Sequence, residues 1–411
     1  MPEFLELLPP GLALRRLLDR LPAPEPVVEM LPVARALDRV TAQGVLSPER
    51  LPAFTRSTVD GYAVKARDTF GASDSLPGYL TLVGEVPMGG QPDFDIRAGQ
   101  AALIHTGGML PEGADAVVML EHIQAARPGE VEVLRAAAPG ENLLHPGEDV
   151  QVGQEVLAAG RRLRPAEIGG LLALGIGQVA VARRPRVAIL SSGDEVVQPE
   201  VTPMPGQVRD INSYSLAALV ERSGGEAVLY GIVPDRAEML EESMRAALAE
   251  CDVVVITAGS SASTRDLTAA VIDRMGAPGV LVHGVNVKPG KPTILGVCAG
   301  KPVIGLPGNP VSALVIAELF VTPVVERLLG LPEDRPRARV PARLAVNLPS
   351  QAGREDFIPV RLVAGDGGYR AEPIFYKSNL IFTLAQADGL VHIPADANGL
   401  EVGTEVWVEM L

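Results

Sequence analysis

Two lysines in one stiff loop are the most informative chemical feature of the sequence. The segment Lys288-Pro289-Gly290-Lys291-Pro292 holds two of only five lysines among 36 basic residues. Lysine carries a compact ammonium group, and proline restricts the loop backbone. Paired ammonium groups in a rigid loop suit the binding of an oxyanion. The alternative interpretation is an exposed loop in which both lysines occur by chance.

Two further polar loops follow buried strands. Ser191-Ser192-Gly193-Asp194-Glu195 comes directly after the apolar run 187–190, and a hydroxyl-rich segment, 257–266, comes after the run 252–257. Small residues let backbone N–H groups approach an anion, and the acidic side chains could hold Mg²⁺. Hydroxyl groups and a glycine before a helix suit phosphate or a similar oxyanion. The alternative for the second loop is a simple helix cap.

Three other motifs carry weaker signals. They are Asp60-Gly61, Thr106-Gly107-Gly108 and Gly147-Glu148-Asp149. An Asp-Gly pair is as typical of a turn between strands as of a functional site. On spacing alone, we interpret Asp60-Gly61 as such a turn.

The elements that must position these loops form an α/β pattern over residues 186–330. Apolar strands alternate with amphipathic helices, which predicts a mostly parallel sheet covered on both faces. A long helix is expected from Asn309-Pro310, because Asn favours the N-cap and Pro the first turn. Ligands of such folds bind at the carboxyl ends of the strands. The loops at 191–195, 257–266 and 305–309 should therefore share one edge.

The remaining sequence divides into three regions around this central domain. We predict a mixed α/β region from 1–50 with 146–185, a β-rich inserted domain at 51–145, and a small all-β, barrel-like domain at 331–411. Glycine-rich turns and short apolar runs support the last assignment. The predicted fold class is thus a multidomain α/β protein.

Composition excludes several classes of function. The net charge of −14 argues against duplex nucleic acid as a partner. No apolar run approaches the ~18 residues of a membrane span, and the N-terminus lacks the pattern of a secretory signal. Two cysteines are too few for a disulfide scaffold, and the five histidines show no zinc-ligand spacing. We expect a cytoplasmic protein.

Taken in order, the motifs resemble the molybdopterin molybdenumtransferase family, of the MoeA and gephyrin E-domain type. The most specific segments are LPAFTRSTVDGYAV, HTGGMLPEGADAVVM, SSGDE, VKPGKPTILG and GLPGNPVSA, and the likeness covers about residues 10–411. The resemblance implies an elongated homodimer, Mg²⁺ dependence, and adenylylated molybdopterin and molybdate as substrates. The products would be molybdenum cofactor and AMP. It also implies the molybdopterin adenylyltransferase and apo-molybdoenzymes as protein partners.

The resemblance assigns roles to residues of this sequence. It implies catalytic roles for Asp60, Thr106, Asp149, Glu195 and Asp266, with Glu195 and Asp266 also as metal ligands. The first three lie outside the domain that holds the other two, so the site would be shared across the dimer. The implied substrate-binding residues are Ser191, Gly193, Asp210, Gly259, Ser260, Ser261, Lys288, Lys291, Pro307, Gly308, Pro310, Arg354 and Ser378.

Three features depart from the family's usual pattern. The segment 259–264 lacks a second glycine, so the resemblance does not define how its backbone meets the pterin phosphate. Asn379 stands where glycine is usual after Ser378, and His145-Pro146 replaces a more basic stretch.

Two alternative functions remain open at this point. The first is the preceding enzyme, the molybdopterin adenylyltransferase, whose fold resembles residues 186–330. It is a single short domain, so the flanking sequence argues against it. The second is a non-catalytic scaffold of the gephyrin type, against which the intact acidic positions argue.

Overall fold

The computed structural model describes residues 7–258, 262–365, 367–375 and 377–411, with the backbone alone for 262–265. Within these residues the strands form three six-stranded sheets and several two-stranded ladders. The predicted α/β multidomain class with a mostly parallel central sheet is confirmed. The bounds of the four regions stay predictions.

Two segments far apart in the sequence pair to form the first region. Its early elements are α1 (Pro10–Leu18), β1 (Val28–Pro32) and β2 (Val45–Leu46). After the inserted sheet, the chain returns through β11 (Glu155–Leu157), α2 (Pro165–Ala173) and β12 (Gln178–Ala182). Strand β12 pairs antiparallel with β1, and β11 pairs with β2. The intervening residues therefore leave and re-enter the same small region.

The inserted sheet lies between these segments. Its strands and the short ladder beside it are β3 (Arg56–Ser57), β4 (Gly61–Val64), β5 (Gly78–Glu85), β6 (Gln100–Ile104), β7 (Ala116–Met119), β8 (Ile123–Ala125), β9 (Glu130–Val133) and β10 (Leu143–Leu144). The sheet order is β7-β4-β6-β5-β9-β8, and only the β5–β6 pair among these is parallel.

Gly61 corrects our interpretation of Asp60-Gly61 as a turn between strands, because only Asp60 lies in the bend that connects β3 to β4. Gly61 is the first residue of β4, which pairs with both β6 and β7. A Cβ atom on Gly61 would lie 2.1 Å from the carbonyl oxygen of Val118. The glycine is needed because two strands approach closely, and Asp60 therefore stands at the end of a sheet strand.

The central domain alternates strands and helices. Its elements are β13 (Arg186–Ser192), β14 (Val196–Val197), β15 (Val208–Arg209), α3 (Asn212–Ser223), β16 (Glu226–Val233), α4 (Ala237–Glu250), β17 (Val253–Ala258), α5 (Ala262–Arg274), β18 (Pro278–His283), β19 (Val287–Lys288), β20 (Ile294–Cys298), β21 (Lys301–Pro307) and α6 (Pro310–Leu328). The sheet order is β16-β13-β17-β21-β20-β18.

This central sheet is parallel over its first four strands. Strands β20 and β18 extend it antiparallel, which the sequence pattern did not indicate. Helices α3 and α6 cover one face, where Leu216 and Phe320 are buried. Helices α4 and α5 cover the other, with Met244 and Ile272. Burial on both faces explains why the strands read as continuous apolar runs.

The C-terminal domain closes a small barrel. Its elements are β22 (Arg339–Leu344), β23 (Leu348–Pro349), β24 (Glu355–Gly365), β25 (Gly368–Pro373), α7 (Ile381–Ala385), β26 (Gly389–Ile393), β27 (Gly399–Leu400) and β28 (Glu405–Met410). The ring runs β24-β25-β22-β28-β26, and a β24–β26 pairing closes it. Strand β19 of the central domain pairs parallel with β24, so the two domains share a ladder.

Helix α6 is apolar on most sides because it packs against α1, α3 and α7 as well as the central sheet. Its one buried acid, Glu326, accepts hydrogen bonds from Arg335 and Arg337.

Among the described residues, no helix is long and apolar enough to cross a membrane.

Candidate active site

One cavity brings together the side chains that we predicted to bind an oxyanion. Its volume is about 430 Å³, and it lies between the central and C-terminal domains. The cationic side chains of Lys288, Lys291 and Arg354 line it, together with Ser378. Pro307 also lines it, whereas Gly308 and Pro310 continue from Pro307 into the start of α6. Three positive groups and a hydroxyl around one cavity suit a small oxyanion.

The start of the lysine loop is anchored to the C-terminal domain. Lys288 ends β19 and lies in register with Asp356 of β24. The side-chain amide of Asn286 donates to the carbonyl oxygen of Gly353, the residue before Arg354. These contacts hold Lys288 close to Arg354, although the two residues are far apart in the sequence.

Gly290 allows the lysine loop to lie against α6. Its φ angle is +111°, in the region that favours glycine, and a Cβ atom there would meet the side chain of Ile316 at 2.2 Å. Ile316 is fully buried, so it has no room to move away. The loop can therefore hold its two lysines at the cavity only with glycine at this position.

Arg354 is paired with a carboxylate that our sequence interpretation missed. Its Nε donates to Asp356 Oδ1 at 2.7 Å, and an Nη atom donates to Oδ2 at 3.1 Å. The Asp356 side chain is fully buried. Arg354 stands directly before β24 and Asp356 is the second residue of that strand, and this spacing of two residues was the available signal.

Ser378 is fixed by the start of α6. The side-chain amide of Asn309 donates to Ser378 Oγ at 3.1 Å, and the N–H of Val311 donates to the Ser378 carbonyl at 3.1 Å. Asn309 does occupy the N-cap position, as predicted, but its side chain makes no capping hydrogen bond. Its side-chain amide binds a residue that lines the cavity and does not cap the helix.

The loop after β13 lies at the carboxyl edge of the sheet. Ser191 is buried there and accepts a long hydrogen bond, 3.5 Å, from Thr257 Oγ1. The N–H of Gly193 donates to the carbonyl oxygen of Val233. Glu195 is exposed, as is Asp194, so a ligand can reach its carboxylate.

A second acidic residue of this edge, Asp235, was also missed. Ser192 Oγ donates to Asp235 Oδ1 at 2.5 Å, and the Asp235 N–H donates to Asp194 Oδ1 at 3.3 Å. These bonds join the loops that follow β13 and β16. Their joining braces the loop that presents Glu195.

Asp210 has a helix-capping contact. It is buried, and its Oδ1 accepts a hydrogen bond from the Ser213 N–H at 3.1 Å, in the first turn of α3. The neighbouring Asn212 donates to the Gly308 carbonyl at 2.8 Å and so ties α3 to the loop after β21. Capping of α3 is therefore a function of Asp210 that does not need substrate.

Asp266 lies inside α5, which begins at Ala262, and its side chain is exposed. A residue in the second turn cannot cap the helix N-terminus, so the simple capping alternative for Asp266 is wrong. Gly259, Ser260 and Ser261, which we predicted to bind substrate, lie outside the described residues.

No group of three or more His, Cys, Asp or Glu side chains within the described ranges could hold a metal ion by itself. Mg²⁺, however, commonly takes one or two carboxylates and completes its shell with substrate phosphates and water. The exposed carboxylates of Glu195 and Asp266 follow neighbouring parallel strands, β13 and β17. This donor set fits Mg²⁺ held jointly with a phosphorylated substrate, and it does not fit a resident protein-only site.

A second polar group lies at the end of the inserted sheet. Asp60 Oδ1 accepts hydrogen bonds from the Thr106 N–H at 2.8 Å and from Thr106 Oγ1 at 3.2 Å. His105 lies beside them, with Nδ1 3.7 Å from Asp60 and Nε2 2.9 Å from Glu85. The structure therefore brings the predicted residues Asp60 and Thr106 together.

The Thr106 backbone N–H holds the pKa of Asp60 below its usual value, with smaller contributions from the Thr106 hydroxyl and His105. Asp60 is exposed, so it is available to a ligand as a carboxylate. Asp149 is exposed as well, on the segment where its N–H donates to the Leu51 carbonyl at 3.0 Å.

Comparison with known families decides the assignment. Residues 8–175 match the family described as MoeA N-terminal region (domain I and II), and residues 188–327 match a probable molybdopterin binding domain. Residues 341–411 match the MoeA C-terminal region (domain IV). The chain belongs to the MoeA family.

Individual relatives support this assignment over nearly the whole chain. A molybdopterin molybdenumtransferase of Nostoc sp. is 36% identical over 388 residues, covering 93% of this chain and 88% of that protein. The enzyme of that name from Haemophilus influenzae is 33% identical, covering 92% and 94%. The crystal structure of the molybdopterin biosynthesis moeA protein from Pyrococcus horikoshii OT3 is 34% identical, covers 99% and 100%, and superposes with a TM-score of 0.86.

We predict that Gly290→Ala abolishes most oxyanion binding by this MoeA-family chain, because the added Cβ would displace the lysine loop from Ile316. The measurement is isothermal titration with molybdate. Gly300→Ala is the matched control, since Gly300 also has positive φ, +79°, but a Cβ atom there would have no neighbouring atom within 4 Å. Equal effects of both substitutions would contradict the prediction.

Proposed function

We propose that this chain is a molybdopterin molybdenumtransferase, which inserts molybdate into adenylylated molybdopterin and releases AMP and molybdenum cofactor. The observation that carries the proposal is the cavity where Lys288, Lys291, Arg354 and Ser378 converge. Its positive groups suit the molybdate dianion, and the family assignment supplies the reaction.

The location of the cavity argues against the molybdopterin adenylyltransferase alternative. Lys288 and Lys291 belong to the central domain, whereas Arg354 and Ser378 belong to the C-terminal domain. A protein made of the central domain alone would lack half of this site. The scaffold alternative needs no oxyanion pocket, so it leaves the convergence of charges unexplained.

Each part of the chain has a separate task in the proposed reaction. The lysines and Arg354 bind and orient molybdate through charge-assisted hydrogen bonds. Glu195 and Asp266 at the sheet edge would hold Mg²⁺ against the phosphates of the adenylylated pterin. When bound, Mg²⁺ would supply positive charge that polarises the phosphoanhydride. Without a cation, two carboxylates at that edge would repel the substrate.

We also propose that the site is completed by a second copy of the chain. Asp60 and Thr106 form their own polar group on the inserted sheet, and Asp149 lies near that sheet's return to the first region. A homodimer would place these residues over the cleft of the partner subunit. The cofactor would then pass to apo-molybdoenzymes in the cytoplasm.

The direct test is turnover of adenylylated molybdopterin. Purified protein with Mg²⁺ should release AMP and yield molybdenum cofactor only when molybdate is added. Synthesis of adenylylated molybdopterin from ATP would instead support the adenylyltransferase alternative. The absence of any turnover by folded protein would favour the scaffold alternative.

We predict that Lys291→Ala raises the molybdate concentration needed for half-maximal AMP release at least about tenfold. A charge-assisted hydrogen bond contributes about 1.5–3 kcal/mol, and 1.4 kcal/mol corresponds to a factor of ten. Lys301→Ala is the control, because Lys301 donates to the Leu248 carbonyl at the opposite end of β21. Unchanged molybdate dependence in Lys291→Ala would remove this residue from the pocket.

For the carboxylates, we predict that Glu195→Gln and Asp266→Asn stay folded, bind adenylylated molybdopterin, and fail to release AMP in the presence of molybdate. Both side chains are exposed, so neither amide should disturb packing. Excess Mg²⁺ should restore part of the rate. Glu200→Gln serves as the control, because Glu200 is an exposed acid that lies beyond β14, in the connection to β15. If either variant releases AMP at the wild-type rate and with the wild-type Mg²⁺ dependence, the residue substituted in it is not part of the metal site.

For the shared site, we predict a homodimer in sedimentation at micromolar concentration. Mixing inactive Asp60→Asn with inactive Glu195→Gln should restore activity, because mixed dimers contain one site with neither substitution. A fully active monomer of 43.1 kDa would refute the shared site.

A further inference from the structure

We propose that Asp356 and Asn309 are positioning residues, which direct the donors of Arg354 and Ser378 into the oxyanion cavity. This inference rests on the proposed function, because it takes the cavity as the molybdate site. Neither residue needs to touch the substrate. Each acts by making one fixed hydrogen-bonding contact to a residue that does.

Asp356 sets the orientation of the Arg354 guanidinium group. The carboxylate binds the Nε–H and one Nη–H, at 2.7 and 3.1 Å. A guanidinium group has five N–H donors in a rigid plane. The three that remain lie on its other edges and have no partner among the described residues. Arg354 can therefore present a planar pair of donors to two oxygens of one oxyanion.

Complete burial makes this pairing strong. Asp356 is fully buried, whereas Arg354 is about a quarter exposed, at 28%. A buried carboxylate must be paired, because leaving it without a partner in a region of low dielectric is costly. Arg354 is thus held on its buried side by a carboxylate that solvent cannot reach, and its exposed side lines the cavity. The carboxylate also offsets part of the repulsion among the three cationic side chains.

Asn309 decides which way the Ser378 hydroxyl points. The Asn309 amide donates to Ser378 Oγ at 3.1 Å, so the serine oxygen acts as an acceptor on that side. Its own O–H is then free to donate elsewhere, and Ser378 lines the cavity. An acceptor in place of the amide would take this proton and leave an oxygen lone pair facing the oxyanion. The amide therefore converts Ser378 into a donor.

The two contacts together preorganise the site. Donors that already point at the ligand need no reorientation when it binds. Both positioning residues come from elements that also join the domains. Asp356 lies on β24, which pairs with β19. Asn309 precedes α6, where the Val311 N–H donates to the Ser378 carbonyl. The cavity can accordingly keep its shape without an anion in it.

The test for Asp356 is a double-mutant cycle on the dissociation constant for molybdate alone, measured by isothermal titration. We expect Asp356→Asn to raise this constant about tenfold in the wild-type background, where a charge-assisted pair is lost, and to have little further effect when Arg354→Ala is present. The control is Glu355→Gln, which changes the adjacent acid that pairs with His392 and should leave molybdate binding unchanged. If Arg354→Ala does not fold, Arg354→Lys replaces it. Equal losses from Asp356→Asn in both backgrounds would overturn the role of Asp356.

The test for Asn309 compares Asn309→Asp with Asn309→Ala. The aspartate should maintain or raise the stability of the protein while it weakens molybdate binding. Asn309→Asp places a good N-cap residue before α6, so the melting temperature should stay the same or rise. The new carboxylate should accept the Ser378 O–H and repel the anion, so molybdate binding should weaken more than in Asn309→Ala. In a Ser378→Ala background, Asn309→Ala should have no further effect. Wild-type molybdate affinity in Asn309→Asp would overturn the role of Asn309.

The same measurements separate failure of the inference from failure of the proposed function. Wild-type protein that neither binds molybdate nor releases AMP would refute the proposed function. The positioning roles alone would be refuted by a different result. In that case wild-type protein binds molybdate and releases AMP, Asp356→Asn weakens molybdate binding equally with and without Arg354→Ala, and Asn309→Asp leaves molybdate binding unchanged.

Discussion

The cavity depends on holding three positive side chains close together against their mutual repulsion. Free side chains of lysine and arginine would move apart into water, so the arrangement needs a rigid frame and a nearby negative charge. The parallel ladder between β19 and β24 provides the frame, and buried Asp356 provides the charge. This ladder holds Lys288 of the central domain close to Arg354 of the C-terminal domain.

The central sheet imposes a second constraint. Its four parallel strands run in the same direction, so the loops that follow them meet at one edge. Glu195 and the segment from Pro307 into α6 follow β13 and β21, and Asp266 follows β17 in the second turn of α5. Hydrogen bonds of Asn212 then join α3 to the loop after β21, and those of Asp235 join the loops after β13 and β16. The polar edge is thus a consequence of strand direction, and side-chain bonds refine it.

The roles of several short motifs could not be decided from local chemistry alone. Asp60-Gly61 looked like a turn between strands, but Gly61 is required by the close approach of Val118 in a neighbouring strand. Asp266 could have been a helix cap until the helix was seen to begin at Ala262. Asn309 stands at an N-cap position, yet its amide binds Ser378. In each case the surrounding fold, rather than the motif itself, decided the role.

The sequence by itself determined the α/β class, the alternation of the parallel strands and helices in the central domain, and the chemical character of the lysine loop. These follow from apolar periodicity and residue type, which act over a few neighbouring positions. Only the tertiary structure decided that Arg354 and Ser378 join the lysines, and that Asp356 and Asn309 contact them there. Such contacts depend on strand register and domain packing between residues far apart in the chain, and local patterns carry no information about that register.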